Sequence, residues 1–379
     1  CQPPCRGGIG ATPLHLFITN PYEGPMHSRF ESLPNRRTIV DRRALAEQVA
    51  ALGITGPQGR TLVTPVLRAA LDAGRQEVAR RLAIHPSRGL EAAAAQAYLT
   101  DQILRVLFDF TTDTLYPLSN PTAGERLTLI AVGGYGRGEM APYSDVDIGF
   151  LTPFKQTPHA EQVIESMLYS LWDLGLKVGH SSRSVDEMIR QAKADVTVRT
   201  ALLEGRFLCG DQALYDEAAR RFKAEIQTDS HRQFIADKLA ERDLRHRKMG
   251  DTRYVVEPNV KEGKGGLRDL HALFWIGKYV YDVDRAADLI DRGLFTREEY
   301  RQFHRADNFL WAVRCHLHTI TGRAEDRLTF DVQRQIAERM RFSDRPGKAK
   351  VERFMQLYFL QVKTVGALTG AFLAHLDER

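Results

Sequence analysis

The chain has 379 residues with 53 basic and 48 acidic side chains, a net charge of +5. That length predicts two or three domains, and the small positive balance inclines the protein toward anionic partners without pointing to nucleic acid. The absence of a long uncharged apolar run or a leader segment predicts no membrane span. Four scattered cysteines without zinc-ligand spacing exclude a disulfide framework, so a cytoplasmic protein is expected.

Residues 1–25 are rich in glycine and proline and carry no helical or strand period, so a flexible tail is expected there; Cys1 and Cys5 have no partner ligands nearby. Residues 26–118 are expected to form an N-terminal helical region. Its last Ala/Leu-rich segment places Leu99, Ile103, Leu104, Leu107 and Phe108 at helical spacing.

Residues 119–225 change character. Short apolar runs predict strands ending at Val132 and spanning 146–151, 176–180 and 206–209. Between them, Thr157-Pro158 opens a helix over 159–174. Ser184-Val185-Asp186-Glu187 reads as a capping box, and a further helix is expected over 195–203. Few strands, each followed by a helix, predict a small α/β domain with its site at one end of the sheet. Residues 226–379 are expected to be a helical bundle, interrupted by a glycine- and lysine-rich loop over 254–266.

The stretch over 127–150, LTLIAVGGYGRGEMAPYSDVDIGF, concentrates the chemistry. An apolar run breaks at Gly133-Gly134, whose freedom at φ suits close approach of a phosphate, and Arg137 offers a planar fork for its oxygens. Asp145 and Asp147 then project from one strand face, because residues i and i+2 of a strand point the same way. Two such carboxylates can hold a divalent cation, or they can face water on an ordinary edge strand. At the end of the 254–266 loop and the start of the helix that follows, Lys261, Lys264, Gly265, Gly266 and Arg268 gather, a pattern equally suited to an anion site and to a solvated loop.

Gly133-Gly134 followed by Asp145-Val146-Asp147 resembles the signature of the nucleotidyltransferase superfamily typified by DNA polymerase beta. In order along the chain, GGYGRGEMAPYSDVDIGFL, LWDLGLKVGHSSRSVDE, DVTVRTALLEGRFLCGD, VEPNVKEGKGGLRDLHALFWI and RLTFDVQRQIAERM resemble the PII uridylyltransferase/uridylyl-removing enzyme family. The resemblance implies an α+β fold: a small nucleotidyltransferase mixed β-sheet with helices, flanked by N- and C-terminal helical regions. It also implies transfer of UMP from UTP to a tyrosine of the PII nitrogen-signal protein, with release of pyrophosphate. Asp145 and Asp147 would hold Mg²⁺ (or Mn²⁺), while Gly133, Gly134, Arg137, Ser144 and Lys264 would position the triphosphate. Neither nucleic acid nor membrane is an expected partner.

A third acid usually completes this superfamily's site. Asp195 is the expected one, with Glu204 as its alternative; each also has a structural reading, as a helix cap and as an ion-pair partner of Arg206 respectively. His180 stands where other branches carry an acid and is expected to hydrogen-bond rather than to ligate metal. The family's hydrolase uses a His-Asp metal domain and senses glutamine through C-terminal ACT domains. No His-Asp dipeptide occurs here, so an N-terminal fragment with transferase chemistry alone is expected, responding to glutamine only through domains absent from it. Another nucleotidyl transfer, such as adenylylation, and a non-catalytic nucleotide-binding docking module stay open.

Overall fold

The structure, a computed structural model, describes residues 28–228 and 230–377; the expected tail, with Cys1 and Cys5, lies outside the described residues. After a single helical turn at Ser28–Glu31 come three longer helices, α1 (Arg42–Ala50), α2 (Thr64–Ile84) and α3 (Gly89–Phe110). Asp41 starts α1 by accepting hydrogen bonds from the N–H groups of Arg43 and Ala44. The alanine run of α3 buries nearly every side of that helix, which lets neighbours approach its backbone closely.

The sheet has four strands: β1 (Thr128–Ala131), β2 (Val146–Thr152), β3 (Val178–Ser184) and β4 (Arg206–Gly210), in the order β3-β2-β1-β4. β1 runs antiparallel to both β2 and β4, whereas β2 and β3 are parallel, so the sheet is mixed. The parallel pair needs a crossover, and α4 (Pro158–Asp173), capped by the Thr157 side chain, supplies it. The third strand is longer than its apolar run predicted. Ser181 to Ser184 continue the ladder opposite Gly149 to Thr152, because backbone pairing at a sheet edge tolerates polar side chains.

Alternation on β2 divides the molecule. Val146, Ile148 and Phe150 enter one core together with Leu129, Leu67, Leu99 and Ile103 of the N-terminal helices. Asp145, Asp147, Gly149 and Leu151 face the other way, where Leu151 and Ile130 join a second core with the C-terminal helices. Asp147 therefore lies at the open end of a face whose far end is apolar. Helices α5 (Val185–Ala194), α6 (Val196–Leu203) and α7 (Gln212–Phe222) cover part of that face through Val185, Leu203 and Leu214.

The remaining long helices are α8 (His231–Lys248), α9 (Leu267–Tyr281), α10 (Arg297–Thr321), α11 (Phe330–Arg339) and α12 (Lys350–Asp377). Phe274, Trp275 and Tyr279 of α9 are buried. At the crossing of α3 and α10 a Cβ on Gly89 would lie 2.0 Å from Ala312 N, so only glycine lets the two backbones meet. Asn308 accepts from Leu90 N–H, and His316 donates to Pro86 O at 3.0 Å. These bonds tie the first helical layer to the last.

One expectation needs correction. Helix α12 is long and apolar enough to cross a membrane by length and composition. Its stripe of Phe354, Tyr358, Val362, Val365, Leu368 and Phe372 recurs at helical spacing and is buried in the second core. The same apolar content therefore serves packing here.

Candidate functional site

Asp147 sits where three backbone segments converge. Its backbone carbonyl accepts from Val132 N–H at 3.0 Å, which joins the strand to the start of the glycine turn. Its side chain lies between two glycines. A Cβ on Gly179, its register partner on β3, would come within 2.3 Å of Oδ1, and one on Gly133 within 3.7 Å of Oδ2. Gly133 has φ +59°, a conformation that favours glycine. The turn itself closes through Arg137 N–H to Gly133 O and Glu139 N–H to Gly134 O. The first N–H groups of its short helix, Gly133–Gly136, have no intrahelical acceptor.

Asp145 is exposed just before β2, and Ser144 beside it accepts from Ala141 N–H. Burial pushes the Asp147 carboxyl above its ordinary range, and the charge of Asp145 pushes it further. Lys261 and Arg268 oppose both. Lys261, from the 254–266 loop, and Arg268, in the first turn of α9, thus act on Asp147 through their charge, while Arg268 itself donates to Glu262 Oε1 at 2.9 Å.

Lys261 is held in place by its backbone. Asn259 Oδ1 accepts from the N–H groups of Lys261 and Glu262, Val260 N–H donates to Asp326 O, and Arg268 N–H returns to Lys261 O. Burial lowers the Lys261 ammonium from its ordinary value, and Arg314 and Arg268 add to that, against Asp326 and Glu262. A cation desolvated beside other cations is poised to gain from an anionic ligand.

Behind these groups, Arg314 donates to Asp326 at 2.7 Å. His318 Nδ1 accepts from Tyr143 N–H at 3.3 Å, so the ring proton sits on Nε2 and is donated to Asp326 Oδ1, also at 3.3 Å. Burial opposes the Asp326 charge, but His318 and Arg314 overcome it and hold the carboxyl well below its usual range. This buried set links the loop carrying Asp145 to the loop carrying Lys261.

Several expected site residues lie elsewhere. Arg137 is buried, donating to Glu139 Oε2 at 2.9 Å and to Glu204, with His271 at 3.3 Å. Its guanidinium anchors the glycine turn to the end of α6 instead of pointing to a phosphate. Burial alone would lower its pKa, yet the two carboxylates raise it. Glu204 is accordingly engaged with Arg137 and not with Arg206, whose fork grips Asp101 at 2.6 and 2.9 Å. A Cβ on Gly136 would lie 2.0 Å from Glu204 O, so this glycine serves close packing.

Asp195 takes the structural option. It caps α6 by accepting from Thr197 and Val198 N–H, bonds that hold its carboxyl below the ordinary value. No cluster of three or more His, Cys, Asp or Glu suited to a metal stands among the described residues, so neither proposed third acid joins the pair. His180 packs edge-on against Trp172. Lys264 donates to Asp251 at 2.7 Å and faces a different cavity. Three residues from Lys261, it is carried away by a loop in which Gly265 adopts φ +84°.

Comparison with known proteins places this geometry in context. The family described as GlnD PII-uridylyltransferase matches residues 233–373. The chain is 62% identical over 346 residues to a bifunctional uridylyltransferase/uridylyl-removing enzyme of Novosphingobium aromaticivorans, covering 91% of the chain and 38% of that protein. It is 60% identical over 348 residues to the protein of the same description from Erythrobacter litoralis, with 92% and 38% covered. For Rhodospirillum rubrum the figures are 52% over 346 residues, with 90% and 37% covered. The chain therefore spans less than two-fifths of the length of these curated relatives.

Proposed function

The chain belongs to the PII-uridylyltransferase family, and on that premise we propose that it transfers UMP from UTP to a tyrosine hydroxyl of a PII signal protein, releasing pyrophosphate. One observation carries the reading: Asp145 and Asp147 share a sheet face beside the glycine turn, and the charges of Lys261 and Arg268 act on Asp147 from the helical side.

Nucleotidyl transfer brings a polyanion against two carboxylates, and these repel it unless positive charge intervenes. Lys261 and Arg268 supply fixed charge where the triphosphate would lie. The residues also fit a divalent cation, since Mg²⁺ is ordinarily held by one or two carboxylates with waters and substrate phosphates completing its shell. Asp145 and Asp147 would hold Mg²⁺ or Mn²⁺, which when bound neutralises phosphate charge and lowers the pKa of the attacking hydroxyl.

The rest is alignment. Gly133 and Gly179, lacking side chains, make room for the Asp147 carboxylate on two sides, and the His318–Asp326 pair fixes the backbone preceding Asp145. Ser144 and the first N–H groups of the glycine turn remain as polar positions beside the phosphates. In the transfer, the tyrosine Oη–Pα bond forms, the Pα–O bond to pyrophosphate breaks, and the phenolic proton is lost. Most of the acceleration is then positioning and charge stabilisation.

The test is to incubate the chain with a PII protein, Mg²⁺ and α-labelled UTP or ATP. Label on a PII tyrosine from UTP is the expected result. Label from ATP alone would identify a different nucleotidyl transfer, and nucleotide binding without transfer would reduce the chain to a binding module.

A further inference from the structure

A second cluster of cations lies outside the Asp145/Asp147 face. The end of α8, the 251–264 segment and α12 enclose a cavity of about 250 Å³. Lys248, Arg253, Lys264 and Arg327 line it, against a single lining carboxylate, Glu257. We propose that this cavity is a binding site for a small phosphate-bearing anion, separate from the site of transfer.

Charge accounting is the first argument. Arg327 pairs with Glu257 at 3.2 Å, and Lys264 pairs with Asp251 at 2.7 Å. Among the described residues, no carboxylate pairs with Lys248 or Arg253. The cavity thus keeps an excess of positive charge after internal pairing.

Arg253 provides the second. A Cβ on Gly366 of α12 would come within 2.5 Å of its Nη2, so the guanidinium rests against the α12 backbone at a glycine. Its Nε is buried with no acceptor among the described residues. A buried donor without an acceptor is rare, and a turn of the guanidinium off α12 would offer its N–H groups to an anion in the cavity.

Size selects the ligand class. The cavity is smaller than the roughly 300–1,000 Å³ of pockets for drug-sized ligands. It suits inorganic phosphate, pyrophosphate or a compact phosphorylated metabolite better than a nucleoside triphosphate. Tyr358 and Val362 of α12 supply an apolar wall. The site is also wired to the other face. Asn259 and Gly263 line the cavity, while Lys261, between them in sequence, approaches Asp147. Occupancy would therefore stiffen the loop that presents Lys261.

Pyrophosphate titrated into the full chain at low ionic strength, followed by isothermal calorimetry, tests this. Two classes of site are expected. Lys261→Gln should weaken one by tenfold or more, and Lys248→Gln with Arg253→Gln the other. Should the double variant fold poorly, Lys248→Gln alone should still weaken the second class severalfold, because Lys248 is exposed. Lys155→Gln, an exposed charge removed elsewhere, should change neither class. A single class of site that vanishes with Lys261→Gln would overturn the proposal, as would unchanged binding in the double variant or an equal loss in Lys155→Gln.

Discussion

Gly179→Ala isolates the geometry of the Asp147 carboxylate from its chemistry. The added Cβ would lie 2.3 Å from Oδ1, while ordinary contacts begin near 3.4 Å, so the oxygen must retreat by about 1.1 Å. Room for that retreat lies beside Gly133, which has no side chain, so the carboxylate is turned away from its place on the face. A misplacement of about 1 Å at a reacting centre costs on the order of 10²-fold in rate, or about 2.7 kcal/mol of barrier. Stability should hardly change. Gly179 is exposed and its φ lies outside the positive region, so alanine gains about 0.4–1 kcal/mol through the unfolded chain, offsetting local strain. The assay is single-turnover UMP transfer to PII alongside thermal unfolding. A variant that transfers within threefold of the parent rate would refute the claim that this register pair fixes the carboxylate.

Other residues give sharper contrasts. Arg137→Gln leaves Glu139 and Glu204 buried without their counter-charge, and breaking such a pair should cost about 3–5 kcal/mol in denaturant unfolding, with the lost activity recovering under stabilising conditions. Lys261→Gln should raise the KM for UTP by roughly 10-fold or more, the worth of a charged hydrogen bond, whereas Lys264→Gln should leave it within about twofold. Burial depresses His316 from 6.5 to about 4. The unfolded chain therefore takes up the proton first on acidification, and this site's contribution to stability is lost as pH falls from above 6.5 toward 4. At pH 5 the loss is about 2 kcal/mol, and His316→Gln, which can still donate to Pro86 O, should remove that much from the pH dependence of the unfolding free energy in denaturant titrations.

Local patterns in the sequence carried much of this architecture. The Asp-x-Asp alternation, the Thr157 and Ser184 caps, and the short run ending at Gly210 are set within a few residues, and the structure places elements there. What escaped is decided at long range. Arg137 looks like a phosphate ligand until α6 brings Glu204 to it from 67 positions away. Lys261 and Lys264 have equal claims in the sequence. The backbone at Asn259 and Gly265 sends one toward Asp147 and the other to Asp251. Arg314, His318 and Asp326 carry no motif at all. Their link to the 127–150 segment exists only because α10 packs behind it, and an i, i+4 pairing of Arg314 and His318 on one helix was the only available signal.

The central claim, that the face bearing Asp145 and Asp147 is where UMP is transferred, is tested most directly by Asp147→Asn. Transfer of label from UTP to PII in the presence of Mg²⁺ should fall by on the order of 10³ or more. The Tm should hold or rise, because a desolvated carboxylate beside Asp145 has been removed. A variant that labels PII at close to the parent rate would contradict the account.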